Sequence, residues 1–112
     1  LAFDKKMQLC VHTIGDRANR ELLNIMEEIT KSGGKPLNDL RWRSEHAQHI
    51  DPQDIPRFAQ LGVIAAMQGV HCTSDSPFVV KRLGEERVVD MEVALLVDAH
   101  ALGRRASDEI RP

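Results

Sequence analysis

A strand-to-helix junction lies at Val11-His12-Thr13-Ile14-Gly15-Asp16-Arg17-Ala18, and the rest of the fold can be predicted outward from it. Before it, apolar and polar residues alternate with the period of two that a strand shows, which puts His12 on the face opposite the aliphatic side chains. Those aliphatic residues are Met7, Leu9 and Val11. We expect His12 at the carboxyl end of this strand, because Gly15 allows a tight turn and Asp16 can accept a backbone N–H at the start of a helix. Taken alone, a histidine in this position is more often structural than a ligand.

Composition predicts one globular domain with a modest core, since the chain has 112 residues of which 42% are hydrophobic. Fifteen Lys and Arg residues against 17 Asp and Glu give a net charge of −2, which argues against a nucleic-acid or anionic-membrane partner. No apolar run approaches the roughly 20 residues that span a bilayer, and no signal peptide is evident, so we expect a soluble, cytoplasmic protein. Cys10 and Cys72 lack the paired spacing of a structural zinc site, which favours reduced thiols.

Periodicity predicts an α/β order of elements. After Asp16, apolar residues recur at spacings of three and four and indicate a helix that ends at Gly33-Gly34. That apolar stripe consists of Ala18, Leu22, Leu23, Ile25, Met26 and Ile29. The sequence then predicts, in order, a strand over 40–47, a helix from Asp51 to before Gly62, a strand over 63–68 covered on both faces, a polar loop over 69–77 and a last helix over 88–102. The loop is interpreted equally well as a polar turn with a helix cap or as a binding segment. Such an order favours a parallel sheet with right-handed crossovers.

A second histidine, His46, stands near the end of the second predicted strand, 34 positions after His12. One strand-helix unit of an eight-fold barrel of roughly 250 residues has about 31 residues, so the spacing suits two consecutive parallel strands. The two side chains are then expected to point into one site, which makes metal ligation as good an interpretation as a structural role. Cys10 is predicted on the same side as His12, either as a soft ligand or as a small packed thiol.

Several motifs in one order resemble the amidohydrolase superfamily, and the nearest branch is that of N-substituted formamide deformylase and related metal-dependent hydrolases. The motifs are His12-Thr13-Ile14-Gly15-Asp16-Arg17-Ala18, Arg43-Ser44-Glu45-His46-Ala47-Gln48, Asp51-Pro52-Gln53-Asp54-Ile55-Pro56-Arg57-Phe58, Leu61-Gly62-Val63, Met67-Gln68 and His71-Cys72-Thr73-Ser74-Asp75. The resemblance covers residues 7 to about 88, and residues 89–112 form a divergent tail that is predicted to be helical. The chain also begins Leu1-Ala2-Phe3 and enters a strand almost at once, so we expect an internal segment of a catalytic domain.

This resemblance implies a partial (β/α)₈ TIM-barrel segment of about three parallel βα units, equivalent to barrel strands five to seven. It implies that His12 and His46 bind a divalent metal, commonly zinc, and that His71 faces the substrate. The family uses such a metal to activate water for attack on the C–N bond of a small amide-like or formamide-like substrate.

Other parts of the family pattern are missing from the chain. The family needs a His-x-His pair from the first strand, a ligand from the fourth and an aspartate from the eighth that handles the proton. The tail loses the pattern after about Val88, and no apolar strand precedes Ser107-Asp108, so no catalytic aspartate is assigned. We expect a truncated or frameshifted product that is inactive by itself.

The alternative interpretation is a non-catalytic α/β binding module in which both histidines are structural. Three parallel strands cannot close a barrel and leave two open edges, so self-association through those edges is expected under either interpretation. The two interpretations differ in metal affinity, because only the enzyme-derived segment needs to bind a metal through both histidines.

Overall fold

A computed structural model describes residues 1–33 and 37–85 of the chain. The chain divides into two compact units, the first covering residues 1–69 and the second beginning at Val70. The last predicted helix, over 88–102, and the segment Ser107-Asp108 lie outside the described residues.

The first unit is an α/β fold around a parallel sheet. Its elements are β1 (Cys10–Ile14), α1 (Asp16–Gly33), a 3₁₀ turn (Asn38–Leu40), β2 (Arg43–Gln48), α2 (Ile55–Leu61) and β3 (Ile64–Ala66). The strands lie in the order β1-β2-β3, and both pairings are parallel. This arrangement confirms the predicted α/β class and the parallel sheet.

The core of the first unit lies between α1 and one face of the sheet. Trp42 is 1% exposed, and its indole Nε1 donates a hydrogen bond to the carbonyl of Met7 at 2.8 Å. The other core residues are Leu22, Leu23, Met26, Leu37, Ala47, Ile50, Phe58 and Val63. The predicted stripe of α1 is wrong at Ile25, which is 54% exposed, and Asn19 takes a fully buried position on the helix instead.

Three details of the first unit differ from the sequence prediction. β1 runs two residues past His12, which therefore lies in the middle of the strand and not at its end. α2 begins at Ile55, because Asp51 caps a preceding turn by accepting the Gln53 N–H at 2.9 Å. β3 is not covered on both faces, since Ile64 is 37% exposed.

The second unit contains two short helices, α3 (Val70–Ser74) and α4 (Ser76–Leu83). The predicted polar loop over 69–77 is therefore wrong. Asp75 lies at the N-terminus of α4, where its carbonyl accepts the N–H groups of Phe78 and Val79. The polar residues that suggested a loop therefore lie where α3 ends and α4 begins.

Among the described residues, no helix is long and apolar enough to cross a membrane.

Candidate metal centre

His12 and His46 lie side by side on the adjacent strands β1 and β2. Their ring centroids are 4.4 Å apart and the rings meet edge to face, with an interplanar angle of 74°. His12 is exposed and His46 is half-buried, so both imidazoles can be reached from solvent. The structure thus brings together the two residues that the spacing of the strands placed in one site.

The position of His46 depends on a β-bulge. Ser44 pairs with Val11 on the buried side of the sheet, and strict alternation would turn His46 to that same side. The regular register extends to the Thr13–His46 pair and shifts directly after it, because the next residue, Ile14, pairs with Gln48 and Ala47 is the extra residue of the bulge. Bulges of this kind redirect a side chain and are common beside active sites.

The backbone at the bulge adopts left-handed angles. His46 has φ 73° and Ala47 has φ 46°, and a third residue, His49, has φ 57°. Such angles cost a residue with a side chain about 1 kcal/mol or more, and they persist only where surrounding contacts hold them. The orientation of His46 is therefore held in place by the structure around it.

The sheet face that carries His12 also carries a thiol and an ion pair. Cys10 is opposite Arg43 and His12 is opposite Glu45 in the parallel register. Arg43 Nη2 forms an ion pair with Glu45 Oε1, and the neighbouring Glu45 carboxylate and Cys10 thiol raise the pKa of Arg43. Cys10 is a free, exposed thiol, so its interpretation as a packed core residue is wrong.

Behind the bulge lies a buried polar cluster that the sequence analysis missed. It consists of Thr13, Asn19 and Ser44, which are 3%, 0% and 0% exposed. The Thr13 hydroxyl donates to Asn19 Oδ1 at 2.9 Å and forms a second hydrogen bond with the Ser44 hydroxyl. One signal was present in the sequence, because Asn19 precedes the buried Leu22 and Leu23 by three and four residues and so lies on the apolar stripe.

His71 lies on α3 in the second unit. Its Nδ1 is 3.0 Å from Oδ2 of Asp75, and the Ser74 hydroxyl donates to Oδ1 of the same carboxylate at 2.7 Å. A carboxylate at one ring nitrogen fixes the orientation of an imidazole and leaves the other nitrogen to a different partner. The predicted contact of His71 with substrate stays a prediction.

The histidine pair suits a divalent metal of intermediate softness. Two imidazole nitrogens on one tetrahedral zinc lie about 3.4 Å apart, which two rings in contact can meet. Among residues 1–33 and 37–85, no group of three or more His, Cys, Asp or Glu side chains is arranged to hold a metal. The described part of the chain therefore offers a pair of imidazoles and not a complete metal site.

A parallel α/β sheet that carries two adjacent histidines is the arrangement that the amidohydrolase resemblance implies. The model of the amidohydrolase family matches residues 1–101, which is most of the chain. The chain belongs to the amidohydrolase family. The predicted superfamily is therefore confirmed, while the formamide deformylase-like branch stays a prediction.

Two curated relatives are similar to the chain. It is 41% identical over 90 residues to the protein LONG AFTER FAR-RED 3 of Arabidopsis thaliana, an alignment that covers 80% of the chain and 15% of the relative. It is 36% identical over 87 residues to YtcJ of Bacillus subtilis (strain 168), which its name assigns to the amidohydrolases, with 78% of the chain and 16% of the relative covered. The chain thus spans about a sixth of the length of these relatives. No solved structure matches it significantly.

Proposed function

We propose that the chain is a segment of a metal-dependent amidohydrolase that hydrolyses the C–N bond of a small amide-like or formamide-like molecule. His12 and His46 are two of the metal ligands, and zinc is the candidate metal. The observation that carries this proposal is the contact of the two imidazole rings, with centroids 4.4 Å apart, on adjacent parallel strands. Family membership supports the reaction class.

The residues of the chain have distinct tasks in this proposal. When bound, a divalent metal supplies Lewis acidity, which polarises a carbonyl and makes an attacking water more acidic. His12 and His46 provide neutral nitrogen donors for it, and the Arg43–Glu45 ion pair sets the charge of the sheet face next to them. His71, held by the Asp75 carboxylate, contacts the substrate.

The proposed setting of these residues is a (β/α)₈ barrel in which β1, β2 and β3 correspond to strands five to seven. The face of the sheet with Cys10 and His12 then lines the barrel interior, which accounts for its exposure in this chain. A metal held by two imidazoles is bound weakly, because catalytic sites use at least three protein ligands. The chain by itself is therefore inactive.

Metal titration of the full 112-residue chain tests the ligand assignment. Co²⁺ binding, followed by its visible absorption, is compared between the wild-type chain and the variants His12→Ala and His46→Ala. Each variant is expected to bind Co²⁺ at least about tenfold more weakly, because it removes one of two donors. His71→Ala is the matched control, since it also removes one imidazole but from the second unit, and it should leave the affinity unchanged.

Equal Co²⁺ affinity in the wild-type chain and in both histidine variants would contradict the proposal and favour the non-catalytic binding module. Hydrolysis is measured separately with N-formyl and N-acyl amines in the presence of Zn²⁺. We expect no activity above the uncatalysed rate. Rapid hydrolysis that His12→Ala abolishes would show that the chain is a complete enzyme and that its inferred inactivity is wrong.

A further inference from the structure

Asn19 connects both sides of the bulge that directs His46. Its Nδ2 donates to the carbonyl of Gly15 at 2.9 Å and to the carbonyl of Gln48 at 3.0 Å. Its Oδ1 accepts from the Thr13 hydroxyl at 2.9 Å, and the Ser44 hydroxyl, which hydrogen-bonds to Thr13, lies 3.4 Å from the same oxygen. Both amide protons and the amide oxygen of Asn19 are thus engaged in hydrogen bonds.

The contacts of Asn19 lie on both sides of the bulge in β2. Thr13 and Ser44 lie before the register shift, and Gln48 lies after it. The Gln48 carbonyl also accepts the Gly15 N–H at 2.9 Å, so two donors hold the end of β2 against the end of β1. Because Asn19 belongs to the first turn of α1, the helix and both strand ends share one buried connection.

The bulge needs such a connection. His46 and Ala47 hold left-handed backbone angles that an unsupported chain would relax. A relaxed, regularly alternating strand would turn the His46 side chain to the buried face, away from His12. A buried amide whose hydrogen-bonding capacity is filled is well suited to prevent this, because losing one partner leaves an unsatisfied polar group in the core.

We infer that Asn19 is a positioning residue that keeps the bulge in register and thereby holds the imidazole of His46 against that of His12. The consequence for metal affinity rests on the proposed function, whereas the consequence for ring contact does not. Asn19 acts through the backbone, because its Nδ2 donates to the carbonyls of Gly15 and Gln48 on either side of the bulge.

The test is Asn19→Ala in the full chain, with Leu22→Ala as the matched control. Both remove a buried side chain from the same face of α1, but Leu22 makes none of the hydrogen bonds that hold the bulge. The first readout is the NOE between the ring protons of His12 and His46 in the metal-free chain. The second is Co²⁺ affinity under conditions in which each variant is folded, as judged by circular dichroism.

We expect Asn19→Ala to lose the ring-to-ring NOE and to weaken Co²⁺ binding by about 10-fold to 100-fold, as residues that orient a metal ligand do. Leu22→Ala should lose thermal stability but keep both the NOE and the affinity. If Asn19→Ala retains the NOE, the inference is overturned. If the wild-type chain shows the NOE but binds no Co²⁺, the proposed function fails while the positioning role is still decided by the NOE.

Thr13→Val covers the case in which Asn19→Ala does not fold. This variant removes the hydroxyl that donates to Asn19 Oδ1 and keeps the volume of the side chain. A weakened NOE between the histidine rings in a folded Thr13→Val chain supports the inference. An NOE of wild-type intensity there would overturn it.

Discussion

Backbone conformation at single residues shapes the candidate site. Four positions at or just after the carboxyl ends of β1 and β2 have positive φ angles, and only one of them is a glycine. They are Gly15, His46, Ala47 and His49. Left-handed backbone at residues with side chains is uncommon and often marks a functional constraint. Three of the five non-glycine residues with positive φ in the described part of the chain therefore lie where the two proposed ligands meet.

Gly15 provides a direct test of this conformational requirement. Its φ is 104°, and a Cβ at this position would meet no atom within 4 Å. Gly15→Ala should therefore destabilise the chain by about 1 to 2 kcal/mol through backbone conformation alone. Gly69→Ala is the control, because a Cβ there also meets open space and no positive φ is required. Urea denaturation of both variants measures the difference, and equal stabilities would contradict the argument.

At the scale of elements, α1 and α2 are joined by an ionic network. Asp54 is 3% exposed, and its carboxylate pairs with Arg20 Nε at 2.7 Å and with Arg57 Nη1 at 2.9 Å. The hydrogen bond to Asp54 raises the pKa of Arg20. Arg57 also pairs with Glu27, whose carboxyl pKa is lowered by Lys31 and then by Arg57. The network links helices that follow different strands, and so it fixes their spacing.

Removing the buried carboxylate should loosen the two helices from each other. We expect Asp54→Ala to lower the free energy of unfolding by about 1 to 3 kcal/mol, because two guanidinium groups each lose a hydrogen-bond acceptor. Glu21→Ala is the matched control. Its partner Arg17 is 3.9 Å away at a surface site, and such pairs contribute at most about 1 kcal/mol. If the melting temperature falls equally in the two variants, the ionic network does not stabilise the fold.

At the scale of the whole molecule, the parallel sheet is open. In the described part of the chain β1 and β3 each pair only with β2, so both outer edges keep unpaired backbone groups. Ile64 is 37% exposed on the sheet face that includes His12, and Ile14 at the end of β1 is 43% exposed. In the proposed barrel, other strands would cover these groups. The isolated chain has to satisfy them differently.

We therefore predict that the chain self-associates. Sedimentation velocity at increasing protein concentration should show dimers or larger species, and Ile64→Lys should shift the distribution towards monomer by placing a charge on the open sheet face. Ile25→Lys is the control, because Ile25 is also exposed but lies on α1. A strictly monomeric chain with a sharp melting transition would contradict this expectation.

The sequence by itself determined the order of strands and helices from β1 to β3, the span of α1, the parallel α/β class and the placement of two histidines on adjacent strands. These features are encoded locally, in the period of apolar residues and in the Gly and Asp residues at the ends of elements. Local patterns also carried the family resemblance that the match over residues 1–101 bears out.

Only the tertiary structure decided which way His46 faces and why Asn19 is buried. Both depend on the pairing between β1 and β2, strands separated by about 30 residues, where the left-handed backbone of His46 and the bulge at Ala47 break the alternation that a period of two predicts. The start of α2 and the two helices of the second unit depend instead on competition among nearby caps and turns, which the period of apolar residues does not resolve. A one-residue shift in strand pairing leaves almost no trace in the pattern of apolar residues, yet it determines whether the two imidazoles meet.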